Sequence, residues 1–298
     1  MSAALDERRD LRKAAVAAAK RTAWHTAASV LAPTSSRRVL PDYLIVGGHR
    51  CGTTSLHRYL LEHQDVEQTL LGVKGMHYFS SNHQRSWAWY RAHFPTQASR
   101  ERAKRERGFA PIVGESSPYY MFHPLAPKRI AEHLPEVKLL ALLRDPVERA
   151  YSAYQHMRYE GLERLPTFEE AVEAEPERLA GEVEKILRDP GYESYHHRHH
   201  AYVTRGIYAD QLETLYSLFP KEQILVLDFL SDPPTGLQRV LDFLGLPPHK
   251  VPVDLGHRHN AGSYSGMSPE VRERLVELYR SHNQRLYDLL GHDFGWGR

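Results

Sequence analysis

The chain has 298 residues, 41% hydrophobic and 26% charged, proportions ordinary for a globular protein with a full core. Its 39 Lys and Arg against 37 Asp and Glu leave a net charge of +2, which excludes a uniformly basic nucleic-acid-binding chain. A single cysteine, Cys51, excludes an internal disulfide framework and a cysteine-rich zinc site and fits a cytoplasmic compartment, and no apolar run approaches the ~20 residues that span a bilayer.

Residues 1–38 differ from the rest. They carry eight basic residues against Asp6, Glu7 and Asp10, a surplus of five, which leaves the remainder at −3. The Ala-rich stretch from Ala14 to Ala28 predicts a helix, and the pattern of a signal peptide is absent. Trp24 and Val30-Leu31 on a basic helix are compatible with peripheral membrane contact, although a solvated or packing arm is the simpler expectation. Ala32-Pro33-Thr34-Ser35-Ser36 reads as a linker. The expected organisation is an arm and linker over 1–38 and one domain over 39–298.

After Pro41 the pattern is strand, loop, helix, repeated. Tyr43-Leu44-Ile45-Val46, Lys138 to Leu143 and Ile224 to Leu227 are apolar runs that read as buried strands. Helices are predicted from Thr54, over about 146–159 behind Arg144-Asp145-Pro146, over about 208–218, over 234–244 and over 268–290. Continuous apolar strands alternating with helices predict an α/β fold, a P-loop-like parallel sheet with helices on both faces.

Gly47-Gly48-His49-Arg50-Cys51-Gly52-Thr53-Thr54 lies between a strand and a helix, where a phosphate loop belongs. Glycines let backbone amides approach an anion, and the helix N-terminus adds positive charge. Gly47 and Gly52 have Walker spacing, but Thr53 stands where a Walker loop has its Lys, which weighs against a kinase using Mg-ATP. Arg50 places a cation inside the loop instead. In the second motif, Arg144 to Ser152, Arg144 ends a strand, and Arg149 and Ser152 share a helix face. Arg and Ser there suit a second phosphate. Two anion positions at neighbouring strand ends predict a nucleotide with phosphates at both ends of its ribose.

Taken together, the two motifs resemble the 5′-phosphosulfate loop and 3′-phosphate motif of sulfotransferases that use 3′-phosphoadenosine 5′-phosphosulfate (PAPS), especially bacterial members related to the heparan-sulfate-type domains. The resemblance continues, in order, through Lys74-Gly75-Met76-His77-Tyr78-Phe79, Gly114 to Pro118, Gly206-Ile207-Tyr208, Phe219-Pro220, Asp242 to Leu246 and Asp293 to Trp296. It implies that Gly48, His49, Arg50, Cys51, Gly52, Thr53 and Thr54 cradle the phosphosulfate, that Arg50 takes the place of a Lys on the departing phosphate, and that Arg144 and Ser152 hold the 3′-phosphate. Arg258 falls where relatives have a turn over the nucleotide. PAPS is then the donor, PAP the product, and no metal is expected.

The acceptor side departs from the family. Where relatives have Lys-Glu-x-His-aromatic-Phe with the Glu as base, this chain has Gly75. His77 becomes the expected base, with Glu115 as an alternative base or an orienting partner. The resemblance implies a glycan, glycolipid or small-molecule acceptor with a hydroxyl, or less readily an amine. A catalytically weak PAPS or PAP binder of the same fold stays open because of Gly75. His196 and His200 have i,i+4 spacing, but no Cys and no carboxylate beyond Glu193 completes a metal site. Trp87-Ala88-Trp89-Tyr90-Arg91 reads as buried aromatics ahead of a sugar platform.

Overall fold

The computed structural model describes residues 19, 22–248 and 266–297. One sheet of five parallel strands runs in the order β2-β3-β1-β4-β5, with β1 Tyr43–Gly47, β2 Val66–Glu67, β3 Ile112–Ser116, β4 Lys138–Leu142 and β5 Ile224–Leu227. In the register, Leu44 lies between Glu115 and Leu139. All five residues of β1 are buried, as a central strand covered on both faces requires.

Alternate residues enter opposite cores. Leu44, Val46, Leu139 and Ala141 pack towards Ile130 and Leu212, on helices α5 (Ala126–His133) and α10 (Tyr208–Leu218). Tyr43, Ile45, Leu140 and Leu142 pack towards Leu56 and Val240, on α2 (Thr53–Leu61) and α11 (Pro233–Leu244). A third core joins α6 (Pro146–Tyr159), α7 (Phe168–Leu179) and α12 (Pro269–Leu290) through Tyr154, Phe168 and Leu275. The three long apolar runs are thus strands, and the five helices expected after Pro41 lie within about a residue of their expected limits, whereas much of the helix expected over 14–28 lies outside the described residues. The expected parallel sheet with helices on both faces is what the structure shows.

The N-terminal segment packs more closely than a linker would. Residues 22–31 form a helix, α1, and Ala32–Arg37 form a 3-10 helix in place of the expected linker. Pro33 has no amide proton to satisfy at that helix start. Buried Arg38 donates to the Phe94 carbonyl at 2.7 Å and ties the segment to the domain. Trp24 lies 5.3 Å from the rings of both Trp89 and His93, so it belongs to a ring cluster, as a packing arm would place it. Trp89 and Tyr90 of α3 (Trp87–Arg91) are buried, as expected.

Chain order places β1 and β4 side by side while β1 leads on towards β2 and β3 in the other direction. This is a topological switch point, and the loops leaving the carboxyl ends of β1 and β4 diverge there into a crevice.

Candidate active site

The loop after β1 is built by internal hydrogen bonds. The Gly48 amide donates to the Leu142 carbonyl at 2.6 Å and the Cys51 amide to the Gly48 carbonyl at 3.1 Å. These two amides therefore shape the loop and are not offered to a ligand. Gly52, at φ 86, turns the chain into α2, which has no side-chain cap. The first-turn amides of α2 thus face the loop with positive dipole and no side-chain partner. Cys51 is buried and its thiol pKa is pushed up to about 11, chiefly by burial.

Cations gather around this loop. Arg50 Nε donates to Ser152 Oγ at 3.1 Å, joining the first motif to the second across 102 residues. Arg144 Nη1 reaches the Arg50 carbonyl at 3.5 Å and pairs with Glu148 at 3.6 Å. Asp145 caps α6 through the Val147 and Glu148 amides, which fixes Arg144 at the strand end. Arg149 is fully buried; it donates to the Tyr202 carbonyl, while its Nε and Nη1 find no hydrogen-bond partner among the described residues. Burial, then the charges of Arg205, His156, Arg50 and Arg149, hold the His49 pKa well below the ordinary histidine value. An interior this rich in guanidinium groups and poor in carboxylates suits bound anions.

Arg50 was expected at one anion position and Arg144 with Ser152 at a neighbouring one, and in the structure the three are in contact. Arg258 lies outside the described residues. Lys74, absent from the expected site residues, reaches the same loop. Its Nζ donates to Thr54 Oγ1 at 2.8 Å, in the first turn of α2. The signal was its place just ahead of Gly75 in the quoted motif, but a lysine in a loop carries no periodicity to reveal where it points.

The loop that carries His77 is stitched to the end of β3. The Ser116 amide donates to the Lys74 carbonyl, the Met76 amide to Glu115 Oε2 at 2.7 Å and the His77 amide to Ser117 Oγ at 3.1 Å. His77 sits at φ 51 and Arg50 at φ 72, the two non-glycine residues in the left-handed region among the described residues. Such conformations persist where surrounding bonds over-determine them, and they concentrate at functional sites. His77 is half-buried, its Nδ1 is buried without a partner, and burial, Arg198 and Lys74 push its pKa down to about 3. Its imidazole is therefore neutral.

Glu115 is fully buried and saturated. Met76 N and Ser117 Oγ donate to one oxygen, Tyr90 and Tyr120 hydroxyls to the other, at 2.7–3.1 Å. Burial raises its pKa against these four bonds. A carboxylate with both oxygens occupied is arranged to hold the loop. Gly75 has a strict reason to be glycine: an added Cβ would lie 2.2 Å from the Ser116 carbonyl oxygen and 2.8 Å from Ser117 Oγ.

The histidine run forms the short helix Tyr195–His199. His196 Nδ1 and His200 Nδ1 meet at 2.8 Å in a hydrogen bond, and His200 Nε2 lies 3.0 Å from the Leu162 carbonyl. Among the described residues no group of three or more His, Cys, Asp or Glu is placed to hold a metal, and no helix is long and apolar enough to cross a membrane.

A profile described as the sulfotransferase domain matches residues 40–263. Heparan sulfate glucosamine 3-O-sulfotransferase 3B1 of Homo sapiens is 31% identical across 88% of this chain and 66% of its own length. The membrane-associated sulfotransferase kil1 of Dictyostelium discoideum is 25% identical across 86% of this chain and 66% of its own length. The chain thus spans just under two thirds of these two relatives. The crystal structure of a sulfotransferase from Alicyclobacillus acidocaldarius is 30% identical, covers 86% of this chain and 98% of its own, and superposes with a TM-score of 0.61.

Proposed function

The chain belongs to the sulfotransferase domain family, and on that premise we propose that it transfers a sulfuryl group from PAPS to a glycan hydroxyl. The observation that supports this reading is the Arg50–Ser152 contact with Arg144 beside it, which joins the two anion-binding motifs at adjacent strand ends. In this reading Arg144 and Ser152 hold the 3′-phosphate, His49 and the amides from Gly52 to Thr54 line the 5′ end, and Arg50 lies between the two, with Gly48 and Cys51 shaping the loop. Buried Arg149 and the cations around His49 supply a fixed field that suits two phosphates.

The donor supplies an activated sulfuryl group; this chain's residues supply position, charge and a base. His77 takes the acceptor proton, and Glu115 holds the loop that aims it. Fixed charge costs no reorganisation as charge builds on the leaving phosphate, so positioning and electrostatics carry most of the rate. The heparan sulfate relative is the support for a glycan acceptor and for a hydroxyl over an amine. The lone buried thiol keeps a cytoplasmic location as part of the same reading.

Gly75 favours one competing reading, a nucleotide binder with weak turnover, because the family's carboxylate base cannot be carried on this backbone. Incubation of the protein with ³⁵S-labelled PAPS and a panel of desulfated glycosaminoglycans separates the two. Label in polysaccharide, with hydroxyls and not amines modified, is the expected result. Stoichiometric binding of labelled PAPS with no transfer to any member of the panel would favour the binder.

A further inference from the structure

A sulfotransferase donor presents two anionic ends, and the loop sequence places a single cation, Arg50, between them. Arg50 leans towards α6, where its Nε donates to Ser152. Lys74 leans the other way. Its ammonium sits 2.8 Å from Thr54 Oγ1, beside the uncapped amides of α2. Among the described residues no carboxylate pairs with it; its charged neighbours are Arg58 and Arg50, and burial together with these two pushes its pKa down to about 8. His57, packed nearby, is held neutral by burial and by the Lys74 charge, its pKa down to about 4. A cation drawn out of water among cations is unfavourable until an anion arrives.

We propose that Lys74, rather than Arg50, is the cation that meets the 5′-phosphosulfate, and that Arg50 serves the 3′-phosphate side with Arg144 and Ser152. The assignment rests on the sulfotransferase reading. As the acceptor oxygen bonds to sulfur, the bond from sulfur to the 5′-phosphate oxygen breaks and its electron pair stays on that oxygen. The Lys74 ammonium, keeping its proton, stabilises the charge gained there, while the acceptor proton goes to His77.

The test compares two nucleotides by calorimetry, PAP and adenosine 3′-phosphate, which lacks the 5′ end. Lys74→Met is expected to weaken PAP about 10–100-fold, the worth of one charge-assisted contact. It should leave adenosine 3′-phosphate within about twofold, which also shows that the variant folds. Lys74→Arg is expected to recover most of the PAP affinity. Arg50→Met should weaken both nucleotides by similar factors. Unchanged PAP affinity in Lys74→Met, equal loss of both nucleotides there, or a loss confined to PAP in Arg50→Met would overturn the assignment. Wild-type protein that binds neither nucleotide would overturn the sulfotransferase reading itself, and this inference with it.

Discussion

Replacing His77 by alanine is expected to lower sulfuryl transfer by about 10²–10⁴-fold, the usual worth of a positioned base, while PAP affinity stays within about twofold. The backbone at His77 is strained and held by the Ser117 hydroxyl, so its position is set by its surroundings and outlasts the loss of its own ring. Burial and the charges of Arg198 and Lys74 keep the imidazole in its base form, with a pKa near 3. A base must be unprotonated to act, and a folded pKa this low means that His77 gains no proton as pH falls from 7 to 5. The kcat/KM profile, which reports the free enzyme, should therefore show no histidine limb in that range. Donor charge next to His77 offsets the two cations and strengthens the base when it is needed. A loss of less than tenfold in His77→Ala would move the base elsewhere.

Glu115→Ala is expected to destabilise the protein by about 3–5 kcal/mol, read from urea unfolding, because it strands four buried donors at once. These are the hydroxyls of Tyr90, Tyr120 and Ser117 and the amide of Met76. Glu115→Gln keeps the shape and one good acceptor, and should cost about 1–3 kcal/mol. The milder variant also separates support from chemistry. If Glu115 only orients the His77 loop, Glu115→Gln retains transfer within about tenfold wherever it stays folded. Transfer abolished in a folded Glu115→Gln protein would make Glu115 the base.

The parts of the molecule legible in sequence are those whose residues face one kind of surroundings throughout. β1, β4 and β5 are apolar from end to end because helices cover both faces, and Asp145-Pro146 marks the start of α6 because a cap and a proline both suit that position. β3 was hidden: Gly114, Glu115 and Ser116 interrupt its apolar run, since the strand delivers polar groups to the site at its own end. β2 has two residues and no pattern to show. Trp24 fitted a packing arm, but nothing in an Ala-rich stretch says that its partners are Trp89 and His93. At the site, Arg50, Arg144 and Ser152 were readable from motif spacing. Lys74 was not, because which way a loop lysine points depends on Thr54, 20 residues earlier. Gly75 read as the loss of a base; the geometry adds that no side chain fits there while Lys74 and Ser116 keep their backbone bond.

Calorimetric titration of the wild-type protein and of Arg144→Ala with PAP, 5′-ADP and Mg-ATP tests the central claim most directly. The account predicts that PAP binds at least about tenfold more tightly than either 5′-nucleotide without added metal, and that Arg144→Ala lowers PAP affinity by about 10–150-fold, one charge-assisted phosphate contact, while leaving 5′-ADP nearly unchanged. Selective binding of Mg-ATP, or PAP no tighter than 5′-ADP, would contradict it.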